Sequence, residues 1–238
     1  MTSLANQTVL VTGANRGMGK EFVRQLLERG AKKVYATARD ASTIDTSDPR
    51  VVALQLDVTD ADSVDAAVAA TPDVNVLINN AGMLARGPLL TADQTAIRQE
   101  FETNYFGPLR LASLLSDRIA ENGNGVVLNT HSALSWVSFG GTYEPTKAAL
   151  WSATNGIRLA LAPRGVQVVG LHVGYVDTDM IAEVDAPKSA PEDVVKSALD
   201  GIEAGAFEVL ADDVSHQVKA GLSAPIEAMY PQLSAQPA

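Results

Sequence analysis

The stretch Thr8-Val9-Leu10-Val11-Thr12-Gly13-Ala14-Asn15-Arg16-Gly17-Met18-Gly19 decides the fold class. Its first five residues are an uninterrupted run of β-formers, which reads as a strand buried on both faces. The spaced glycines then open an amphipathic segment, Met18 to Arg29, with Phe22, Val23, Leu26 and Leu27 on one side and Gly30 beyond its end. A strand, a glycine-rich turn and a helix in that order form a phosphate cradle. Gly13 permits the tight turn, Gly17 lets backbone approach a pyrophosphate, and Gly19 lets helix pack on strand. The helix N-terminus adds free N–H groups and partial positive charge.

Outward from this unit the same alternation continues. Strands are expected at Lys33–Ala38, Val51–Gln55, Val74–Ile78, Gly125–Asn129, Gln167–Val173 and Phe207–Leu210. Helices are expected at Asp62–Ala70, Asp93–Arg118, Thr142–Leu161 and Pro191–Glu203. Continuous apolar strands between helices predict a Rossmann-type, doubly wound parallel sheet, α/β in class, with helices on both faces. At 238 residues, one domain spanning 1–238 is expected, with a frayed tail over 231–238.

Composition narrows the partners. The net charge of -10 argues against nucleic acid and anionic membranes. The absence of cysteine excludes disulfides, thiol nucleophiles and cysteine-ligated metal, and three scattered histidines offer no metal-site spacing, so no metal is expected. The N-terminus lacks a basic and then apolar leader, and no apolar run is long enough to span a bilayer, so a cytoplasmic location is expected.

The second strand ends Ala38-Arg39-Asp40. Arg39 is the first polar side chain past the apolar run, and Arg16 lies in the glycine-rich turn. Two guanidinium groups at one rim suit the 2′-phosphate of NADP(H). Asp40 remains an alternative, as a carboxylate for the ribose hydroxyl of NAD. Asp57, after the third strand, lies where an adenine edge would pass, or serves as a turn residue.

Tyr143 and Lys147 are four apart on one helix, so they project from the same face. An ammonium beside a phenol favours the phenolate and lowers the phenol's pKa, which suits proton transfer. His131 next to Ser132 does not make a Ser–His pair, because adjacent strand residues point to opposite faces, and there is no Gly-x-Ser-x-Gly elbow.

Taken in order, Thr12 to Gly19, Asn79-Asn80-Ala81-Gly82, Asn104-Tyr105-Phe106-Gly107, Ser132, Tyr143-x-x-x-Lys147 and Gly174-Tyr175-Val176-Asp177-Thr178 resemble the short-chain dehydrogenase/reductase family over essentially the whole chain. The resemblance implies a nicotinamide-dependent oxidoreductase, usually an oligomer. It maps Asn104, Ser132, Tyr143 and Lys147 onto a catalytic tetrad, with Ser135 and Ser138 as competitors for the serine. It places Gly13, Asn15, Arg16, Gly17, Met18, Gly19, Arg39, Asp57, Val58, Asn80, Ala81, Gly82, Tyr143, Lys147, Gly174, Val176 and Thr178 against the cofactor, with Gly82 and Thr178 flanking the nicotinamide. Asn104 is a poor helix former inside a long helix, and a local break there would free a carbonyl to hold a water.

The chain departs from the family in Glu144-Pro145 between Tyr143 and Lys147, in Val173-Gly174 where Pro-Gly is common, and in a shortened Ser132–Tyr143 stretch. Pro145 is tolerable in a first helical turn. Met83, Leu84, Leu134, Trp136, Phe139, Tyr175 and Met180 are candidates for an apolar pocket or, equally, for core, and Ile181–Ala190 for a lid. The expected activity is NADPH-dependent reduction of an apolar or aromatic carbonyl compound, reversibly alcohol oxidation, by a homodimer or homotetramer. The alternative is a non-catalytic NADP(H)-binding sensor or scaffold of the same fold.

Overall fold

The computed structural model describes residues 2–233. Seven parallel strands form one sheet in the order β3-β2-β1-β4-β5-β6-β7. They are β1 (Thr8–Val11), β2 (Lys33–Ala38), β3 (Val51–Gln55), β4 (Val76–Asn79), β5 (Val126–Thr130), β6 (Gln167–His172) and β7 (Glu208–Leu210). Helices α1 (Gly17–Glu28), α2 (Ala61–Ala69), α3 (Gln94–Phe101), α4 (Gly107–Glu121), α5 (Tyr143–Leu161) and α6 (Pro191–Glu203) cover the faces. Helices α7 (Asp213–Gly221) and α8 (Ile226–Met229) follow the last strand.

The two-residue period of a strand sorts the core into two layers. On β1, Val9 and Val11 join Phe22 and Leu26 of α1 and Val194, Leu199 and Ile202 of α6 on one face. Leu10 turns to the other face, with Val64 of α2, Leu111 and Leu115 of α4 and Leu161 of α5. Phe22, Leu10 and Leu115 are fully buried. Each such side chain contributes about 1.5–3 kcal/mol of transfer free energy. This is why the strands are apolar throughout while the helices are apolar along one stripe.

The element boundaries largely match the periodicity. The expected strand at Val74 begins instead at Val76, because the Asn75 side chain takes a ladder position: Thr8 N donates to Asn75 Oδ1 at 3.0 Å. The expected continuous helix Asp93–Arg118 is two helices joined by a π-helical turn, Glu102–Phe106, which contains Asn104. Pro145 lies in the first turn of α5, where its missing N–H removes no helical bond. Helices α7 and α8 had no sequence expectation; α7 is opened by Asp212, whose carboxylate accepts from Ser215 N at 2.8 Å. Of the expected tail, Pro231–Leu233 form a single 3-10 turn, and residues 234–238 lie outside the described residues.

Strand order reverses between β1 and β4, and a crevice opens beyond the carboxyl ends of strands at such a point. No helix among the described residues is long and apolar enough to cross a membrane, and none of them groups three or more potential metal ligands.

Candidate active site

The floor of the crevice is the glycine-rich turn. Gly13 has φ +64° and Gly17 φ +50°, left-handed conformations that glycine adopts without strain. At Gly19 an added Cβ would lie 1.9 Å from the Gly13 carbonyl oxygen, so the turn closes only with glycine there. Thr12 ties the turn to the next strand end: its hydroxyl accepts from Asn80 N at 3.0 Å and Ala81 N at 2.9 Å. Asn80 Nδ2 donates back to the Thr12 carbonyl at 3.0 Å. The N-cap of α1, Arg16, makes no side-chain cap, which leaves the first-turn N–H groups of the helix available to an anion.

At the rim beyond β2, Asp40 caps a turn. Its carboxylate accepts from Ser42 N at 3.0 Å and Ser42 Oγ at 2.7 Å, capping the turn at Ala41. Those hydrogen bonds hold the carboxyl below its usual pKa. Arg39 is exposed and makes no ion pair among the described residues. Arg16 meets Asp179 at 3.5 Å, both side chains largely in solvent, a contact weak enough to exchange for a phosphate. Asp57 Oδ1 accepts from Thr59 N at 2.9 Å and Thr59 Oγ1 at 2.7 Å. Val58 beside it is buried against Gly107, where an added Cβ would lie 2.9 Å from Val58 Cβ. This donor set, with left-handed glycines, open helix N–H groups and a rim rich in guanidinium, fits a dinucleotide pyrophosphate and a 2′-phosphate.

Across the crevice α5 brings Tyr143 and Lys147 together. Lys147 is buried; its ammonium donates to the Thr130 carbonyl at the end of β5 at 2.9 Å and stands 5.5 Å from the centre of the Tyr143 ring. Burial pushes the Lys147 pKa down from 10.5 to about 8. A Cβ on Gly82 would lie 3.4 Å from Asn104 Oδ1 and 3.9 Å from Lys147 Nζ, so β4, the π turn and α5 meet at one point. The expected break at Asn104 is present, and Gly107 N donates to the Glu102 carbonyl in the wider π pattern.

The expectation for Tyr143 itself needs correction. Its pKa is raised, not lowered: the packing around its hydroxyl disfavours the phenolate, and Glu100 and Glu144 add negative potential. Glu100 is fully buried on α3, with Oε1 accepting from Ala85 N at 2.6 Å and Oε2 without a partner. Sequence reading passed over it, because a glutamate in an amphipathic helix normally faces water.

Ser132 is buried at the N-cap of a 3-10 turn, Ala133–Ser135. Its hydroxyl accepts from Leu134 N at 3.1 Å, leaving its own proton for another acceptor. Of its two competitors, Ser135 turns back to accept from Ser132 N at 3.3 Å, and Ser138 accepts from Gly140 N at 3.0 Å within its own loop. His131 does not pair with the Ser132 hydroxyl. It stacks on His172, whose other face carries Trp136, at centroid separations of 4.7 Å and 3.9 Å. His172 Nδ1 lies 3.2 Å from the Ser132 carbonyl oxygen. Trp136 therefore packs on His172 beside the serine turn. Phe139, Tyr175 and Met180 are exposed, and Met83, Leu84 and Leu134 half-buried.

Gly174 N donates to Asp212 Oδ2 at 2.7 Å, and Val176 bridges to Ser189. Thr178 packs on the cradle, its methyl 3.1 Å from where a Gly17 Cβ would lie. The Ile181–Ala190 segment is held at several points, among them Glu183 by Arg86 at 2.5 Å and Ser189, whose N donates to the Tyr175 carbonyl at 2.8 Å.

A family model described as short chain dehydrogenase matches residues 7–189. The chain belongs to the short-chain dehydrogenase family. Among its relatives is the ketoacyl reductase HetN of Nostoc sp., 30% identical over 89% of this chain and 80% of that protein. A short chain dehydrogenase from Burkholderia cenocepacia, solved in complex with NADP, is 36% identical, with a TM-score of 0.93 over 99% of this chain and 100% of that one. Another from Sphingobium yanoikuyae, in complex with NADPH, is 25% identical, with a TM-score of 0.81 over 98% of each chain.

Proposed function

We propose that this short-chain dehydrogenase is an NADP(H)-dependent carbonyl reductase, reversibly an alcohol dehydrogenase, acting on apolar or aromatic ketones and aldehydes. The observation that carries the reading is the buried Lys147 ammonium, 5.5 Å from the Tyr143 ring and bonded to the carbonyl of Thr130, two residues before Ser132. A buried cation beside a phenol at a glycine-lined crevice serves proton transfer better than it serves stability.

The cofactor, when bound, supplies the hydride. The open N–H groups of Gly17, Met18 and Gly19 would receive the pyrophosphate, with Gly13 and Asn15 in the same turn. Arg16 and Arg39 would hold the 2′-phosphate, and Asp57 and Val58 would border the adenine. Asn80, Ala81, Gly82, Gly174, Val176 and Thr178 would line the rest of the groove. Tyr143 donates its proton to the carbonyl oxygen as negative charge develops there. Ser132 donates its free hydroxyl proton to the same oxygen. The Lys147 ammonium stabilises the phenolate left behind, and the π turn at Asn104 presents a carbonyl to a water that returns the proton. A raised Tyr143 pKa suits reduction, since the phenol stays protonated at neutral pH and is ready to donate.

Exposed Phe106 of the π turn and Leu114 of α4 fit a homodimer or homotetramer, to be read as a mass above 25.0 kDa by light scattering. The test of the activity is NADPH oxidation with a panel of ketones and aldehydes, comparing wild type with Tyr143→Phe. The expected loss is about 10²–10⁴-fold in kcat, with cofactor binding retained. Wild-type turnover in Tyr143→Phe would overturn the assignment, and cofactor binding without any turnover in wild type would return the sensor alternative.

A further inference from the structure

His172, the last residue of β6, is fully buried. The Ser132 carbonyl closes its 3-10 turn by accepting from Ser135 N at 3.0 Å, and His172 Nδ1, 3.2 Å away, supplies a second donor. A carbonyl can only accept, so Nδ1 carries the ring proton and Nε2 of the neutral ring is left as an acceptor. Burial keeps the ring neutral by lowering its pKa from 6.5 to about 4. Nε2 has no hydrogen-bond partner among the described residues, and what stands beside it, at 3.6 Å, is Glu208 Oε1 of β7, another acceptor.

The ring is held by its faces, between His131 and Trp136. Lys219 Nζ lies 4.8 Å over the Trp136 ring and 2.6 Å from Glu208 Oε2, which ties α7 and β7 to the same column. His131 contributes only its face, since neither of its ring nitrogens has a partner, and Trp136 Nε1 has none either. Gly170 of β6 makes room for His131: a Cβ there would lie 3.0 Å from His131 Cδ2. A glycine inside a strand and buried ring nitrogens without partners both cost stability, which apolar rings in the same column would not. The one hydrogen bond that these three rings make among the described residues is the one to Ser132. We propose that His172 is a positioning residue for Ser132: it fixes the Ser132–Ala133 peptide, so that Leu134 N meets the Ser132 hydroxyl oxygen and the hydroxyl proton is left for the carbonyl oxygen of the substrate. This deepens, and rests on, the carbonyl reductase reading.

The test uses two substitutions with opposite losses. His172→Phe keeps a flat ring in the column and removes the donor; His172→Asn keeps a side-chain N–H and loses the ring. Each is made in the wild-type chain and together with Ser132→Ala. NADPH oxidation is followed with acetophenone and benzaldehyde, and NADPH affinity by its fluorescence on binding. In the wild-type background His172→Phe should lower kcat by about tenfold, the equivalent of one hydrogen bond, with KM and the NADPH Kd changed less than about threefold. His172→Asn should recover most of that loss. With Ser132→Ala, His172→Phe should change kcat by less than about threefold, because the hydroxyl it positions is gone. A role in packing alone would give equal losses in both backgrounds and make Asn worse than Phe; either result overturns the proposal, as does a wild-type kcat in His172→Phe. Loss of NADPH binding along with kcat in His172→Phe would mark a general collapse of the site and overturn it too. A wild type inert towards both carbonyl compounds would overturn the reductase reading and the positioning role together. Normal wild-type turnover with additive losses would overturn the positioning role alone.

Discussion

Asn104 and Met83 exchange two hydrogen bonds: Met83 N donates to Asn104 Oδ1, and Asn104 Nδ2 donates to the Met83 carbonyl, each at 2.9 Å. The same Nδ2 donates to Thr146 Oγ1 at 3.0 Å, and that hydroxyl donates to the Tyr143 carbonyl at 2.7 Å. One buried carboxamide in the π turn therefore joins the segment after Gly82 to the first turn of α5. Asn104→Ala would leave the Met83 N–H and carbonyl without a partner in the interior. The expected cost is about 1–3 kcal/mol, read as a lower urea midpoint with an unchanged slope. A wild-type midpoint would mean that the two segments do not depend on this bridge.

Cofactor choice follows from the rim beyond β2. Asp40 is engaged by Ser42, and Arg39 is left unpaired among the described residues. The expected preference is for NADPH, and Arg39→Ala should reduce the NADPH-to-NADH ratio of kcat/KM by about tenfold or more, the loss of one charge-assisted contact. A wild type that prefers NADH, or a ratio unmoved by Arg39→Ala, would refute the assignment of this rim.

Glu100 should control the pH at which Tyr143 works. Burial, Glu100 and Glu144 all raise the phenol pKa. Glu100→Gln keeps the oxygen that accepts from Ala85 N but removes the charge, so the phenolate becomes easier to form. Alcohol oxidation needs deprotonated Tyr143, and its acidic limb should move to lower pH. Reduction needs the proton, and its alkaline limb should move to lower pH as well. Profiles of kcat/KM in both directions check this, and limbs that stay in place would exclude Glu100 from the proton balance.

The stacked histidines predict acid sensitivity. Burial lowers the pKa of His172 from 6.5 to about 4, and that of His131 well below 6.5. Lys219, Arg158 and Lys147 nearby also disfavour the charged rings, while Glu208 favours the charged form of His172. With folded pKa values below the unfolded one, the unfolded chain binds more protons between these limits. Stability is then complete above pH 6.5 and falls as pH drops towards 4, by about 1.4 kcal/mol per pH unit for each histidine in that window. Denaturant midpoints between pH 7 and pH 4 measure the slope. Replacing His172 with Asn, which can still donate to the Ser132 carbonyl, should make it shallower.

The cradle and the Tyr143–Lys147 pair were legible in the chain because both are local. Left-handed turns demand glycine at Gly13 and Gly17, and a four-residue step on a helix aligns two side chains wherever the helix lies. Even the break at Asn104 could be foreseen from the poor fit of asparagine to a helix interior. What local rules do not contain is the environment that distant segments build together. Lys147 beside Tyr143 predicted a lowered phenol pKa, but the surrounding packing, with Glu100 from α3 adding to it, reverses the direction. Trp136 read equally as pocket wall or core from its place after Ser132, and it is His172 from β6 that provides the flat face on which it packs. Spacing along the chain determines which side chains point the same way. Their charge states and partners depend on how well the surrounding protein excludes water, and only the folded packing of remote elements decides that.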